Sequence, residues 1–84
     1  MSRTLAQALG AEITHLRVKN KLNQPDLAFR LGYHESYVRR LERGAANPTL
    51  EVLCTVSDFF HLPVSLLISK AEERSRAALS IVPE

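Results

Sequence analysis

Ser36, Arg39, Arg40 and Arg43 stand at steps of three, one and three within the segment GYHESYVRRLERG. On a helix they fall inside an arc of about 100°, with Val38 and Leu41 opposite and Tyr37 at their flank. A guanidinium is a flat, permanently charged fork of donors that matches the paired oxygens of a phosphate or carboxylate. Such residues on one outward stripe with no acid among them are suited to gripping something negative. Glu35 and Glu42 sit between the two faces rather than on the stripe. The competing reading is a charged face that only keeps a surface hydrated.

Little else in the chain could carry a reaction. Cys54 is the single cysteine and cannot close an internal disulfide, and it is expected to be a small buried apolar side chain. His15, His34 and His61 are widely separated, so no spacing of the CxxC or HxxxH kind is present. Neither a glycine-rich phosphate loop nor a paired-carboxylate site is visible. The chain therefore reads as a non-enzyme with no metal and no cofactor.

The elements that must position the arginines follow from periodicity and end signals. Leu5, Leu9, Ile13 and Leu16 mark one face of a first helix over about residues 3–20. Asn23 is an N-cap, Pro25 is tolerated in the first turn and Asp26 completes a capping box, which opens a second helix from Gln24 to Leu31 that buries Leu27, Ala28 and Leu31. Gly32 can take the left-handed conformation that ends it. A short turn leads to a third helix, Glu35 to Arg43, stopped by Gly44. Thr49 caps a fourth, from Leu50 to about Phe60, with Leu50, Leu53, Cys54, Ser57 and Phe60 as its inner face. Pro63 opens a fifth, which continues across SKAEERSRAAL toward Pro83. No alternating strand pattern and no repeat is present, so the fold class is all-α with five short helices.

Charge is placed unevenly along these elements. Through Arg43 there are eight Lys or Arg against four acids, giving +4, whereas from Gly44 onward there are three against five, giving −2. The basic half contains the arginine helix. At 84 residues the chain is one domain with no cross-links. A lone cysteine and a first segment, MSRTLAQALGAE, without an apolar core point to a cytoplasmic protein that makes no use of a membrane.

Two short helices joined by a glycine turn, the second polar outside, resemble the helix-turn-helix of the phage repressor and Cro proteins, the Xre family. Leu16-Arg17, Leu22 to Gln24, Leu27-Ala28, Leu31-Gly32, Ser36 to Val38, Leu41 to Gly44 and Asn47 to Leu50 carry the resemblance. It implies a five-helix, lambda-repressor-like domain over 1–69, with a helical extension or tail over 70–84. It also implies a bacterial or phage regulator, expected to be a dimeric repressor that reads a palindromic site in double-stranded DNA. The alternative is a protein-interaction or antitoxin-like module that keeps the fold.

Within that resemblance the third helix would enter the major groove, where arginine bonds guanine O6 and N7 and a carboxylate accepts from cytosine N4. Glu35, Ser36 and Arg39 are then the expected base readers, with Arg40 reading a flanking base or a phosphate. Asn23, Gln24, Tyr37 and Arg43 are expected at phosphates, Gln24 having no evident structural duty, and Arg17 and Glu42 resemble an internal ion pair. Val52, Val56, Phe59 and Leu66 form an apolar set expected on the surface as a homodimer interface. Three departures from the family pattern stand out: Ala45 and Ala46 where basic residues are common, Phe29 at an outward position, and His61 where a glycine often ends the fourth helix, so that a positive φ is expected there.

Overall fold

A computed structural model describes residues 2–80 as five helices: α1 (Ser2–Lys19), α2 (Gln24–Leu31), α3 (Glu35–Arg43), α4 (Leu50–Phe59) and α5 (Val64–Ser80). No strand is present among these residues. Residues 81–84, including Pro83, lie outside them. α5 runs without a break across the expected boundary at 69/70, and Ala71 beyond it is fully buried. Ala71, within the expected extension, thus belongs to the core.

α1 lies along α5 and against α3, while α2 packs on α3 and α4. Ile13, Leu27, Val38, Leu41, Val56, Leu67 and Ala71 fill the centre. Where α1 meets α3, Gly10 is required by space: a Cβ there would collide with the carbonyl oxygen of Glu42. The α2–α3 turn depends on Gly32, which ends α2 at φ 78° with nothing crowding it, a conformation that costs other residues a Cβ clash. Tyr33 N–H then bonds Ala28 O at 2.9 Å and closes the helix end.

The fourth helix is rotated from the expected orientation. Val56 is fully buried, and Val52 and Phe59 are partly buried against the core, so they do not form a surface patch. Leu50, expected inside, is 69% exposed. The inner arc is centred on Val56 and Ser57, with Val52, Leu53 and Phe59 packed partly buried against the core, because a domain this small needs most of the apolar content of α4 to fill its centre. Phe59 and Phe60 meet edge to face at 4.9 Å and close the end of the helix. Cys54 is half-buried rather than enclosed, and Ala46, one of the two alanines standing where basic residues are common, is packed into the core.

Among the described residues two besides glycines adopt the left-handed conformation, His61 as expected and Lys21, both at φ 61°. Each follows a helix, and each is held by backbone bonds from the residue after it, Leu22 N–H to Arg17 O and Leu62 N–H to Ser57 O. Among the described residues no single helix is long and apolar enough to cross a membrane, and α4 and α5, which together are, bend 97° from each other.

Candidate nucleic-acid interface

α3 is presented by two caps and a buried charge cluster. At its start, His34 Nδ1 accepts from Ser36 N–H at 3.2 Å and lies 2.8 Å from Ser36 Oγ, so the imidazole serves as the N-cap. Histidine is an unusual capping residue, which is why the sequence did not single it out. Ahead of it, the capping box of α2 is complete: Asn23 Oδ1 accepts from Asp26 N–H at 2.8 Å and Asp26 Oδ2 accepts from Asn23 N–H at 3.0 Å.

The cluster lies behind α3. Arg17 on α1 donates to Glu42 through Nε at 2.7 Å and Nη2 at 3.0 Å, while its Nη1 donates to Leu22 O at 2.9 Å. Glu42 is 5% exposed at its side chain and Arg17 13%. Gln24 Nε2 donates to Glu42 Oε1 at 2.9 Å, so the glutamine expected to have no structural duty has one. These contacts join α1, α2 and α3 at one carboxylate. A buried acid needs such partners, because an unpaired charge there would be strongly destabilising.

With Val38 and Leu41 in the core, Ser36, Arg39, Arg40 and Arg43 are exposed on the outer face of α3. Two of the arginines are held in different ways. Arg39 Nη1 donates to Glu35 Oε2 at 2.6 Å, an i,i+4 pair with both side chains nearly half exposed. Solvent-exposed pairs of this kind contribute only about 0.3–0.5 kcal/mol, so Arg39 can exchange Glu35 for another acceptor at little cost. Arg40 lies over the Tyr37 ring, its Cζ 5.3 Å from the centroid. Tyr37 meets Tyr33 edge to face at 5.5 Å and 73°. Burial pushes the Tyr37 phenol above its ordinary range and Tyr33 adds to the effect, while Arg40 pulls the other way, so the hydroxyl remains a neutral donor.

Away from α3, Glu12 on α1 is buried and accepts from Arg74 Nε at 2.7 Å, joining α1 to the second half of α5. Nothing in the sequence singled out this pair, because a glutamate amid an apolar helix face reads as a surface residue until its partner 62 positions away is placed. Phe29 on α2 is 84% exposed, and Leu66 on α5 is 41% exposed. Among the described residues no group of acids, histidines and cysteine is arranged to hold a metal.

The helix-turn-helix family HTH_3 matches residues 13–67, which span the end of α1 through the start of α5. The cryptic phage CTXphi transcriptional repressor RstR of Vibrio cholerae is 31% identical over 62 residues, covering 74% of this chain and 56% of the repressor. The match thus reaches little more than half of that relative. Of solved structures, the clp gene regulator ClgR from Corynebacterium glutamicum superposes with a TM-score of 0.83 at 24% identity, over 90% of this chain and 81% of that one. The restriction-modification controller protein C.AhdI from Aeromonas hydrophila does so with a TM-score of 0.69 at 29% identity, over 74% and 94%.

Proposed function

The chain belongs to the helix-turn-helix family HTH_3, and on that premise we propose that it is a sequence-specific double-stranded DNA-binding regulator of transcription, acting as a repressor. The observation that carries this reading is the outer face of α3: Ser36, Arg39, Arg40 and Arg43 are exposed together, on a helix capped at its start and anchored from behind by Glu42. A helix of this size fits the major groove of B-DNA, and residues near its start reach deepest. Glu35, Ser36 and Arg39 read bases, and Arg40 extends the reading to a flank. Arg43, Tyr37, Asn23 and Gln24 hold phosphates, Gln24 through the amide hydrogen and backbone N–H not used by Glu42. Similarity to a transcriptional repressor supports the direction of regulation.

The protein binds as a homodimer on a palindromic site with half-sites about one helical turn, ~34 Å, apart. With Val56 buried and Val52 and Phe59 partly buried, Leu66 is the member of the expected apolar set that stays exposed for a second copy, and Leu50 on α4 is exposed as well. A second reading, a protein-interaction module, is favoured by Phe29, an aromatic ring almost wholly in solvent. Salt dependence separates the two. DNA binding through phosphates gives a slope of log K against log salt of about −0.9 per contact, so several contacts give a steep line. A slope near zero together with tight binding to a protein would overturn the DNA reading.

A further inference from the structure

Arg40 is aimed by an aromatic relay that begins in the turn. Tyr33 sits between α2 and α3, its backbone fixed by the bond to Ala28 O and its ring half-buried against the core. Its ring stands edge to face with Tyr37, one turn along α3, and Arg40 lies over the Tyr37 ring. The three side chains thus run in order from the core to the outer face.

The relay holds Arg40 differently from the way Glu35 holds Arg39. A carboxylate occupies guanidinium N–H groups, which must be released before they can bond a base. An aromatic ring attracts the face of the cation and leaves its edge, where all the donors lie, open to a partner. Arg40 takes part in no ion pair among the described residues, so the ring is what restricts its long side chain. An arginine restricted before binding loses less freedom on binding, and its donors converge on one base pair rather than sweeping several.

We propose that Tyr33 is a specificity-determining positioning residue, which fixes the Tyr37 ring and through it directs Arg40 at one flanking base pair of the operator. The proposal rests on the reading of α3 as the DNA-reading helix. It assigns a sequence-reading role to a residue of the turn that acts through Tyr37 and Arg40.

The test measures relative affinities for the selected operator and its single-base variants, using Tyr33→Leu, Tyr33→Phe, Arg40→Ala and the Tyr33→Leu, Arg40→Ala double variant. Arg40→Ala is expected to flatten preference at one base pair. Tyr33→Leu should lower preference at that same pair by roughly two- to fivefold, the range of an exposed cation–π contact. Tyr33→Phe keeps the ring edge and should keep the preference, and the double variant should match Arg40→Ala alone. If Tyr33→Leu weakens all sequences alike, adds to the loss from Arg40→Ala, or leaves the pair unchanged, the proposal fails. It also fails if Arg40→Ala flattens no position.

Positioning has a readout that needs no DNA. In the isolated protein, the Arg40 side-chain resonances should be shifted by the Tyr37 ring current and its Nε–H should be ordered, and both signatures should weaken in Tyr33→Leu and persist in Tyr33→Phe. Tyr33→Met fills the same space without a ring and serves if the leucine variant does not fold. An ordered, shifted Arg40 in a protein that binds no DNA would leave the relay standing and refute the DNA reading. A mobile Arg40 would refute the relay whatever the protein binds.

Discussion

At the scale of residues, the arginines of α3 divide by what holds them. Arg39 is lightly held by Glu35 and Arg40 by a ring, while Arg43 stands exposed in the last turn. Arg39→Ala is expected to relax choice at one base position and to cost about 1–3 kcal/mol on the preferred base there, whereas Arg43→Ala should weaken all sequences alike and reduce the salt slope by about 0.9. Competition binding at two salt concentrations checks both, and a uniform loss in Arg39→Ala would remove its reading role. Tyr37 gives a second expectation. Its phenol is pushed above the ordinary value, so the folded state holds the proton more tightly than the unfolded chain does. The associated stability is complete below about pH 10, where an unfolded tyrosine titrates, and is lost as pH rises through the higher folded value. An alkaline absorbance titration should show a late-ionising tyrosine that is missing in Tyr37→Phe.

At the scale of elements, stability of the reading unit depends on one carboxylate. Glu42→Ala strands the Arg17 guanidinium, 13% exposed, and removes the partner of Gln24. The expected loss is about 3 kcal/mol, read from the urea midpoint, since breaking one side of a buried pair leaves an uncompensated charge. A loss below about 0.5 kcal/mol would mean that the cluster does not hold α1, α2 and α3 together. His61 works in the opposite direction. A residue with a Cβ at φ 61° is strained, so His61→Gly should raise stability by roughly 0.5–1 kcal/mol in the same assay. The bounds of α2 and α3 were legible because their signals are local: the box of Asn23 and Asp26, the glycines after Leu31 and Arg43, and the opposition of Val38 and Leu41 to the arginines. α4 was misread because two adjacent stripes were both apolar, and periodicity alone does not say which one the other helices will cover. Of the contacts between distant positions, the Arg17–Glu42 pair was expected, and only through the family resemblance, while the others were not legible. Glu12 with Arg74, Gln24 with Glu42, and the close approach at Gly10 depend on helices being brought together.

At the scale of the whole molecule, the parts outside the matched family region are joined to each other. Glu12 precedes residue 13 and Arg74 follows residue 67, and their ion pair ties the middle of α1 to the second half of α5. The matched unit between them presents α3 on one side, with Leu50 and Leu66 at the starts of α4 and α5. A concentration series in sedimentation velocity should show a dimer at micromolar protein, weakened by Leu66→Lys, and a monomer at all concentrations would contradict a two-fold operator complex. The central claim is that the exposed face of α3 reads DNA sequence, and the most direct test is selection of bound fragments from a random double-stranded DNA pool. The native protein and an Arg39→Ala, Arg40→Ala variant would be run side by side. A palindrome with half-sites about one helical turn apart is expected, enriched by the native protein and lost with the variant. No enrichment at low salt, or the same palindrome enriched by both proteins, would contradict it.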